Sequence, residues 1–302
     1  MSISSRERGR RLAFTLLELV VVVMILATIA GLVIPQISMF GRSSDMAADA
    51  KNVSDVANHV GLHFALQRRF PQGMDSLLAD FDADGTPDGV YAPEWFDTST
   101  STWTAAGVNE ANQGRGLPIS GSGTPLVSDL ELATIDNTGA PAGGGYARSF
   151  TRAGFDWVFD HDDADPNSNN SATVRRPPTG IFPNAPLQLA RVRTTTTVTP
   201  ATPPSLLAQR LLPSTGGIPP ANTQLVALGF GRNVSAVGKT LVNSPIYPGC
   251  DGRYYGRYVA VFMLYLSGER ATLVGVTDAG GRTSDITIQQ FNESLPDGSR
   301  QP

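Results

Sequence analysis

A single carboxylate in an apolar stretch is the first residue of this sequence that could do chemistry. The stretch runs from Phe14 to Ile34, and Glu18 is its only charged residue. Inserting a charged residue at the centre of a membrane helix is unfavourable: for Asp the free-energy cost is about 2.5–3.5 kcal/mol on insertion scales. A carboxylate in such a segment therefore needs a partner of opposite charge. The stretch contains no basic residue. Cleavage after Ala13 would create an α-ammonium group four residues before Glu18, on the same helix face or available to a neighbouring chain.

The element that must position Glu18 is a helix long enough to cross a membrane. The stretch has 21 residues, which rise about 31 Å in a helix and match a hydrocarbon core of about 30 Å. Four arginines lie within residues 1–12 and predict a cytoplasmic amino terminus and an exported body. A secretory signal peptide has a shorter apolar part and a small-residue cleavage site, which the sequence after Ile34 lacks. On hydropathy alone an ordinary signal anchor remains an alternative.

Residues 10–22, RRLAFTLLELVVV, resemble the class III signal of type IV prepilins and type II secretion pseudopilins. The resemblance implies that a prepilin peptidase cuts between Ala13 and Phe14 and methylates the new amine. It also implies that Glu18 is the assembly carboxylate and that Pro35 is the proline that kinks the helix. The family's leader normally ends in glycine, whereas this one ends in alanine, a residue still small enough for a peptidase pocket.

The helical pattern continues beyond the apolar stretch. From about residue 38 to residue 69, apolar residues recur at three- and four-residue steps, as on an amphipathic helix. We therefore expect one long helix from Phe14 to about Gln67. Pro35 and Gly41 are expected to bend this helix rather than end it, and Pro71 to follow its end.

The predicted fold class is α+β, with a long N-terminal α-helix of a membrane half and an amphipathic half, and a mainly antiparallel β-sheet head with long loops. Residues 1–13 are the cleaved cytoplasmic leader, 14–35 the transmembrane and assembly helix, and 36–69 the amphipathic helix that continues into the head. Residues 70–302 form the exported head, with a proline- and threonine-rich loop segment at about 177–220.

Local patterns within the head predict further elements. The prediction is a short helix after the turn at 70–73, strands at 148–159 and 224–230, a hairpin of 254–266 with 271–277, and a last strand at 285–291.

An acidic loop in the head is the second group with candidate chemistry. Aspartates at alternate positions followed by Gly85 are suited to collecting oxygen ligands around a hard cation in a tight turn. The loop resembles the DxDxDGxxD calcium loops of EF-hand-like and thrombospondin-type repeats, although Tyr91 stands where a full EF-hand has glutamate. A plain polar turn is the alternative. The predicted Ca²⁺ ligands are Asp80, Asp82, Asp84, Thr86 and Asp88.

Enzyme motifs are not evident, and we expect no catalytic activity. His59 and His63 are spaced i, i+4, but Val60 replaces the glutamate of a zincin motif, so a structural pair is preferred to a metal site. Asp156 and Asp160 are the only carboxylate pair that an anchored hydrolase could use, and we do not assign them that role. The net charge of −4 gives no overall positive field for nucleic acid.

The predicted function is that of a pilin-like structural subunit of a type II secretion pseudopilus or a type IV pilus-like filament. The resemblance implies as partners the prepilin peptidase, other pilins or pseudopilins and copies of itself through the N-terminal helix, and the inner-membrane assembly machinery. It implies a single-pass inner-membrane protein with a periplasmic or extracellular head, which enters an envelope filament on assembly. The alternative is a membrane-anchored, exported ligand-binding protein that is not assembled into a filament.

Overall fold

A computed structural model describes residues 16–79, 89–90, 117–118, 130–156, 158, 187–194, 205–247, 256–278 and 281–294. Within the first helix, the described side chains are those of residues 16–31, 41 and 44–67. The chain divides into two compact units, Met1–Ser44 and Asp45–Pro302.

The first helix, α1, extends over Leu16–Gln67, 52 residues. It confirms the predicted long helix over that range, and neither Pro35 nor Gly41 ends it. The helix ends where Arg68 takes a left-handed backbone conformation with φ 59°. The amide of Arg68 donates to the carbonyl of Phe64 at 2.8 Å, which satisfies a carbonyl of the last turn.

Among the residues whose side chains are described, we find no helix that is both long enough and apolar enough to span a membrane.

Among its described residues, the second unit contains two antiparallel sheets. The small one has the order β1-β2-β3, and the large one has five strands in the order β4-β5-β6-β7-β8. The strands are β1 (Leu78–Ala79), β2 (Gly89–Val90), β3 (Leu117–Pro118), β4 (Leu130–Ile135), β5 (Leu187–Val192), β6 (Thr223–Gly229), β7 (Val259–Tyr265) and β8 (Thr272–Thr277). The helices after α1 are α2 (Tyr146–Arg152), α3 (Leu206–Leu211) and α4 (Ser284–Ser294), with a 3₁₀ turn at Pro213–Thr215. The α+β class, the strand at 224–230 and the carboxy-terminal hairpin are confirmed.

The large sheet is covered on both faces, and strand β7 shows why. All of its residues from Val259 to Leu264 are buried. Because side chains alternate along a strand, Phe262 and its even-numbered neighbours face one core, and Val261 and its odd-numbered neighbours face another. A strand with apolar side chains on both faces is stable only when other elements of the fold pack against each face of its sheet.

The carboxy-terminal part of α1, residues 45–67, which we call its inner half, packs into the first of these cores. Val53, Val56 and Val60 lie on one face of the helix and are buried in the same cluster as Phe262 and Phe155. The spacing of the three valines is the amphipathic pattern of the sequence, so that part of the prediction is confirmed. On the other face of the sheet, α3 contributes buried apolar side chains to the second cluster.

The prediction of a strand at 148–159 is wrong, because residues 146–152 form helix α2. Phe150 of α2 and Phe155 after it do enter the core: both are buried, and their rings stack with centroids 4.5 Å apart. A turn separates these two rings at Gly154, where φ is 96° and an added Cβ would lie 2.2 Å from the Cβ of Arg69. The chain therefore reverses where a strand was expected.

The last predicted strand, at 285–291, is also wrong, because helix α4 spans Ser284–Ser294. Its β-branched residues favour a strand locally. The amide and the hydroxyl of Thr287 nevertheless both donate to the carbonyl of Thr283, at 3.0 and 3.1 Å, and this local bonding is helical.

Two further expectations for the head are corrected. The short helix expected after the turn at 70–73 is absent from the described residues 74–79, because the backbone of Asp75 pairs with Gly229 of β6 in both directions. The predicted loop segment at 177–220 contains β5 and α3. Strand β5 carries no proline and pairs with β4 over its whole length, so the composition of the surrounding segment concealed it.

Phe262 provides a test of this core. It is fully buried and makes edge-to-face contacts with Phe70 and Phe155, each with centroids 4.9 Å apart. We expect Phe262→Ala to lower the free energy of unfolding by about 3–5 kcal/mol, because it opens a cavity where α1 meets the sheet. Leu66→Ala, at an exposed position of α1, is the control and should change it by no more than about 0.5 kcal/mol. Equal effects in urea unfolding of the full chain would contradict this packing.

Candidate functional site

The amino-terminal part of α1, residues 16–31, which we call its outer half, is the first candidate site, because its side chains are both apolar and exposed. Every described residue from Leu16 to Gly31 is exposed, including Leu16 at 81% and Ile29 at 52%. In this stretch only Glu18 and Thr28 carry polar side chains. An exposed apolar surface of this extent marks an interface with a protein or a membrane.

The two polar side chains of this stretch differ in how apolar surroundings would affect them. Glu18 lies on α1, two residues after the first described residue, Leu16. The hydroxyl of Thr28 donates to the carbonyl of Met24 at 2.6 Å and is thereby satisfied within the helix. Burial of the Thr28 hydroxyl therefore leaves no unsatisfied donor, whereas burial of the Glu18 carboxylate requires a positive charge close to it.

Most of the other residues predicted for function lie outside the described residues. Ala13 and Phe14, the residues on either side of the predicted cleavage, precede Leu16, the first described residue. The whole predicted calcium loop, residues 80–88, is likewise outside it. Pro35 lies within α1. Among the described residues, no group of three or more His, Cys, Asp or Glu side chains could hold a metal ion.

His59 and His63 both lie on the inner half of α1. His63 is buried, and its Nδ1–H donates to the carbonyl of Arg69 at 3.1 Å. Burial lowers the pKa of His63, so the ring is held in its neutral form. This hydrogen bond ties α1 to the segment that follows it, which supports the structural interpretation of His63.

Asp156, named above as half of a carboxylate pair, has a structural environment. It is exposed and accepts hydrogen bonds from Nε2 of Gln72 at 2.6 Å and from a guanidinium nitrogen of Arg69 at 3.5 Å. Asp160 lies outside the described residues. The structure therefore gives no support for a catalytic role of the pair.

A buried polar cluster, which the sequence analysis missed, lies where the inner half of α1 meets the ends of the sheet. We call it the Asp49 cluster, and it consists of Asp49, Tyr247, Tyr258, Asp278 and Arg282. The Tyr258 hydroxyl donates to Oδ1 of Asp49 at 3.0 Å. Asp278 is held by Arg282 twice, from the side-chain Nε at 2.7 Å and from the backbone amide at 2.8 Å. The guanidinium of Arg282 also donates to the hydroxyl of Tyr247.

Burial controls the protonation of this cluster. Asp49 is 3% exposed and Asp278 is 1% exposed. Burial, and after it the neighbouring Asp278 side chain, raise the pKa of Asp49 to about 8. Burial, together with the charge of Asp49, also raises the pKa of the Tyr258 phenol. Asp49 is therefore a neutral carboxylic acid at neutral pH.

A signal for this cluster was present in the helical pattern. Asp49 stands four residues before Val53 and therefore on the apolar face that continues through Val56 and Val60. A carboxylate on a core-facing position predicts a buried partner. The partner itself could not be named, because Tyr258 lies 209 residues further along the chain.

Comparison with protein-family models, with curated proteins and with solved structures gives no match to this chain. The functional assignment therefore depends on the sequence motif around Glu18 and on the surface of α1.

Proposed function

We propose that this chain is a pilin-like structural subunit of a type II secretion pseudopilus or a type IV pilus-like filament. A prepilin peptidase removes residues 1–13 and methylates the amine of Phe14. Residues 14–35 hold the subunit in the inner membrane, with the amino terminus in the cytoplasm and the head on the periplasmic or extracellular side. The inner-membrane assembly machinery then brings the subunit to the other pilins or pseudopilins.

The observation that carries this proposal is the apolar, exposed outer half of α1 with its one carboxylate. A helix that is apolar all round is compatible with lipid and with the interior of a helical bundle. Such helices associate by close packing and by pairing their few polar groups, because lipid and leucine side chains are equally apolar. The same surface therefore serves the membrane-inserted subunit and the assembled one.

Glu18 supplies the register of assembly. A subunit that enters the filament buries this carboxylate among apolar helices, which costs free energy unless a positive charge is close. The methylated amine of Phe14 from a neighbouring copy provides that charge at one axial position only. A subunit placed out of register leaves both charges unpaired, so the incorrect packing is disfavoured.

The head serves the filament as a structural body in this proposal. Its described residues include a sheet with a buried apolar cluster on each face. The Asp156 carboxylate accepts hydrogen bonds from Gln72 and Arg69. Pro35 is the helix-kinking proline in this proposal.

The first test is the amino terminus of the mature protein. In cells that contain the peptidase, we expect N-terminal sequencing to begin at Phe14, carrying a methylated amine. A mature chain that begins at Met1 or Ser2 would favour the alternative, an anchored exported ligand-binding protein that is not assembled. Co-expression with an inactive peptidase is the control and should leave the leader attached.

The second test is the assembly carboxylate. We expect Glu18→Ala to abolish incorporation into the filament and to leave insertion into the inner membrane unchanged, since only the buried charge pair is lost. Incorporation is measured by cross-linking and by recovery of sheared filaments, and insertion by membrane fractionation. Leu17→Ala, which keeps the carboxylate, is the matched control. Assembly of the Glu18 variant at the wild-type level would refute the register mechanism.

The acidic loop is proposed to bind Ca²⁺ through the five predicted ligands, on the strength of its spacing alone. Calorimetric titration of the full chain with CaCl₂ should give saturable heat with weak affinity, typical of extracellular sites. Asp82→Ala should remove that heat, because it deletes a central ligand. Asp55→Ala, which removes an exposed carboxylate of α1, is the control and should retain it. Absence of heat in the wild type would eliminate the site.

A further inference from the structure

The Asp49 cluster contains more carboxyl groups than cations. Asp49 and Asp278 are both almost completely buried, and among the described residues Arg282 is the guanidinium whose charge acts on Asp49. Arg282 directs its Nε and its backbone amide to Asp278 and another guanidinium nitrogen to Tyr247. The cluster is electrically neutral only when one carboxyl group carries a proton.

The hydrogen bonds identify the group that carries the proton. Both oxygens of Asp278 accept from Arg282, so this carboxylate is compensated. Asp49 receives the Tyr258 hydroxyl on Oδ1, while its buried Oδ2 has no hydrogen-bond partner among the described residues. An ionised Asp49 would place a second negative charge beside Asp278 with one hydrogen bond to stabilise it. The proton therefore resides on Asp49.

We propose that the Asp49 cluster is a pH-sensitive latch, in which the neutral acid form of Asp49 holds the inner half of α1 against the β-sheet and its ionisation under alkaline conditions loosens that contact. The latch joins α1, through Asp49, to the residue before β7, through Tyr258, and to the end of β8, through Asp278. This inference is independent of the proposed function, because it concerns only the unit Asp45–Pro302.

The direction of the pH effect follows from the pKa of Asp49 in the two states. That pKa is 3.8 in the unfolded chain and about 8 in the folded one. Between these values the folded state binds the extra proton, so the stability conferred by the cluster is complete below about pH 4 and is lost as the pH rises through about 8. Within this window the unfolding equilibrium constant should rise by up to about tenfold per pH unit from this group.

The groups that face Asp49 have opposite effects on the transition. The Tyr258 hydroxyl and the Arg282 charge lower the pKa of Asp49, whereas burial and Asp278 raise it. Removal of the Tyr258 hydroxyl should therefore move the transition to higher pH. Removal of the Asp278 charge should move it to lower pH.

The experiment is chemical unfolding of the full chain in detergent micelles between pH 5 and pH 9.5. Wild type should lose stability from pH 5 to about pH 8, with little further loss from this group above that, and Asp49→Asn, which cannot ionise, should lose much less. Asp45→Asn, an exposed position on the same helix, is the matched control and should follow wild type. The same pH dependence in wild type and Asp49→Asn would overturn the proposal.

A second measurement keeps the test decisive should Asp49→Asn fail to fold. Amide hydrogen exchange, corrected for the intrinsic rate at each pH, should show loss of protection in residues 45–60 above about pH 8 while β6 and β7 stay protected. Tyr258→Phe should shift this loss to higher pH. Simultaneous loss of protection in α1 and in the sheet, or a shift to lower pH in Tyr258→Phe, would refute the latch.

Discussion

The packing of one face of α1 onto the large β-sheet is the interaction on which the second unit depends. Val53, Val56 and Val60 fill the core against Phe262, and this core holds the aromatic residues that follow α1 in the sequence. Because β7 is buried from Val259 to Leu264, the sheet would expose an apolar face without the helix. The same face of α1 carries Asp49, so packing and protonation are coupled at one surface.

The two parts of α1 follow different physical rules within one continuous helix. From Asp45 onwards it has one buried face and one exposed face, as expected for a helix packed on a sheet. From Leu16 to Gly31 it has no buried face, and its side chains are almost all apolar. Soluble proteins rarely leave such a surface exposed, and contact with lipid or with other helices is what the proposed function supplies. This exposed apolar surface is the physical basis for proposing a filament subunit.

Much of the architecture could be predicted because it depends on local patterns. Helix α1 combines a long apolar stretch with an amphipathic pattern and has a clear end before Pro71, and the hairpin of β7 and β8 consists of two apolar runs around a short turn. The predictions failed where local preference and tertiary contact disagreed. Residues 146–152 and 284–294 contain aromatic or β-branched residues that favour strands, yet they form helices α2 and α4. The proline- and threonine-rich composition of residues 177–220 also led to a loop prediction that missed β5, whose six residues all pair with β4.

The sequence by itself determined the carboxylate in its apolar stretch, the long helix that carries it and the antiparallel character of the head, because each is encoded in residue spacing along a short segment. Only the tertiary structure decided that Asp49 meets Tyr258 and Asp278. Those residues are brought together by the packing of α1 on the sheet, and no local pattern specifies a partner more than 200 residues away. The altered protonation of Asp49 has the same origin, since burial and a neighbouring charge exist only in the folded chain.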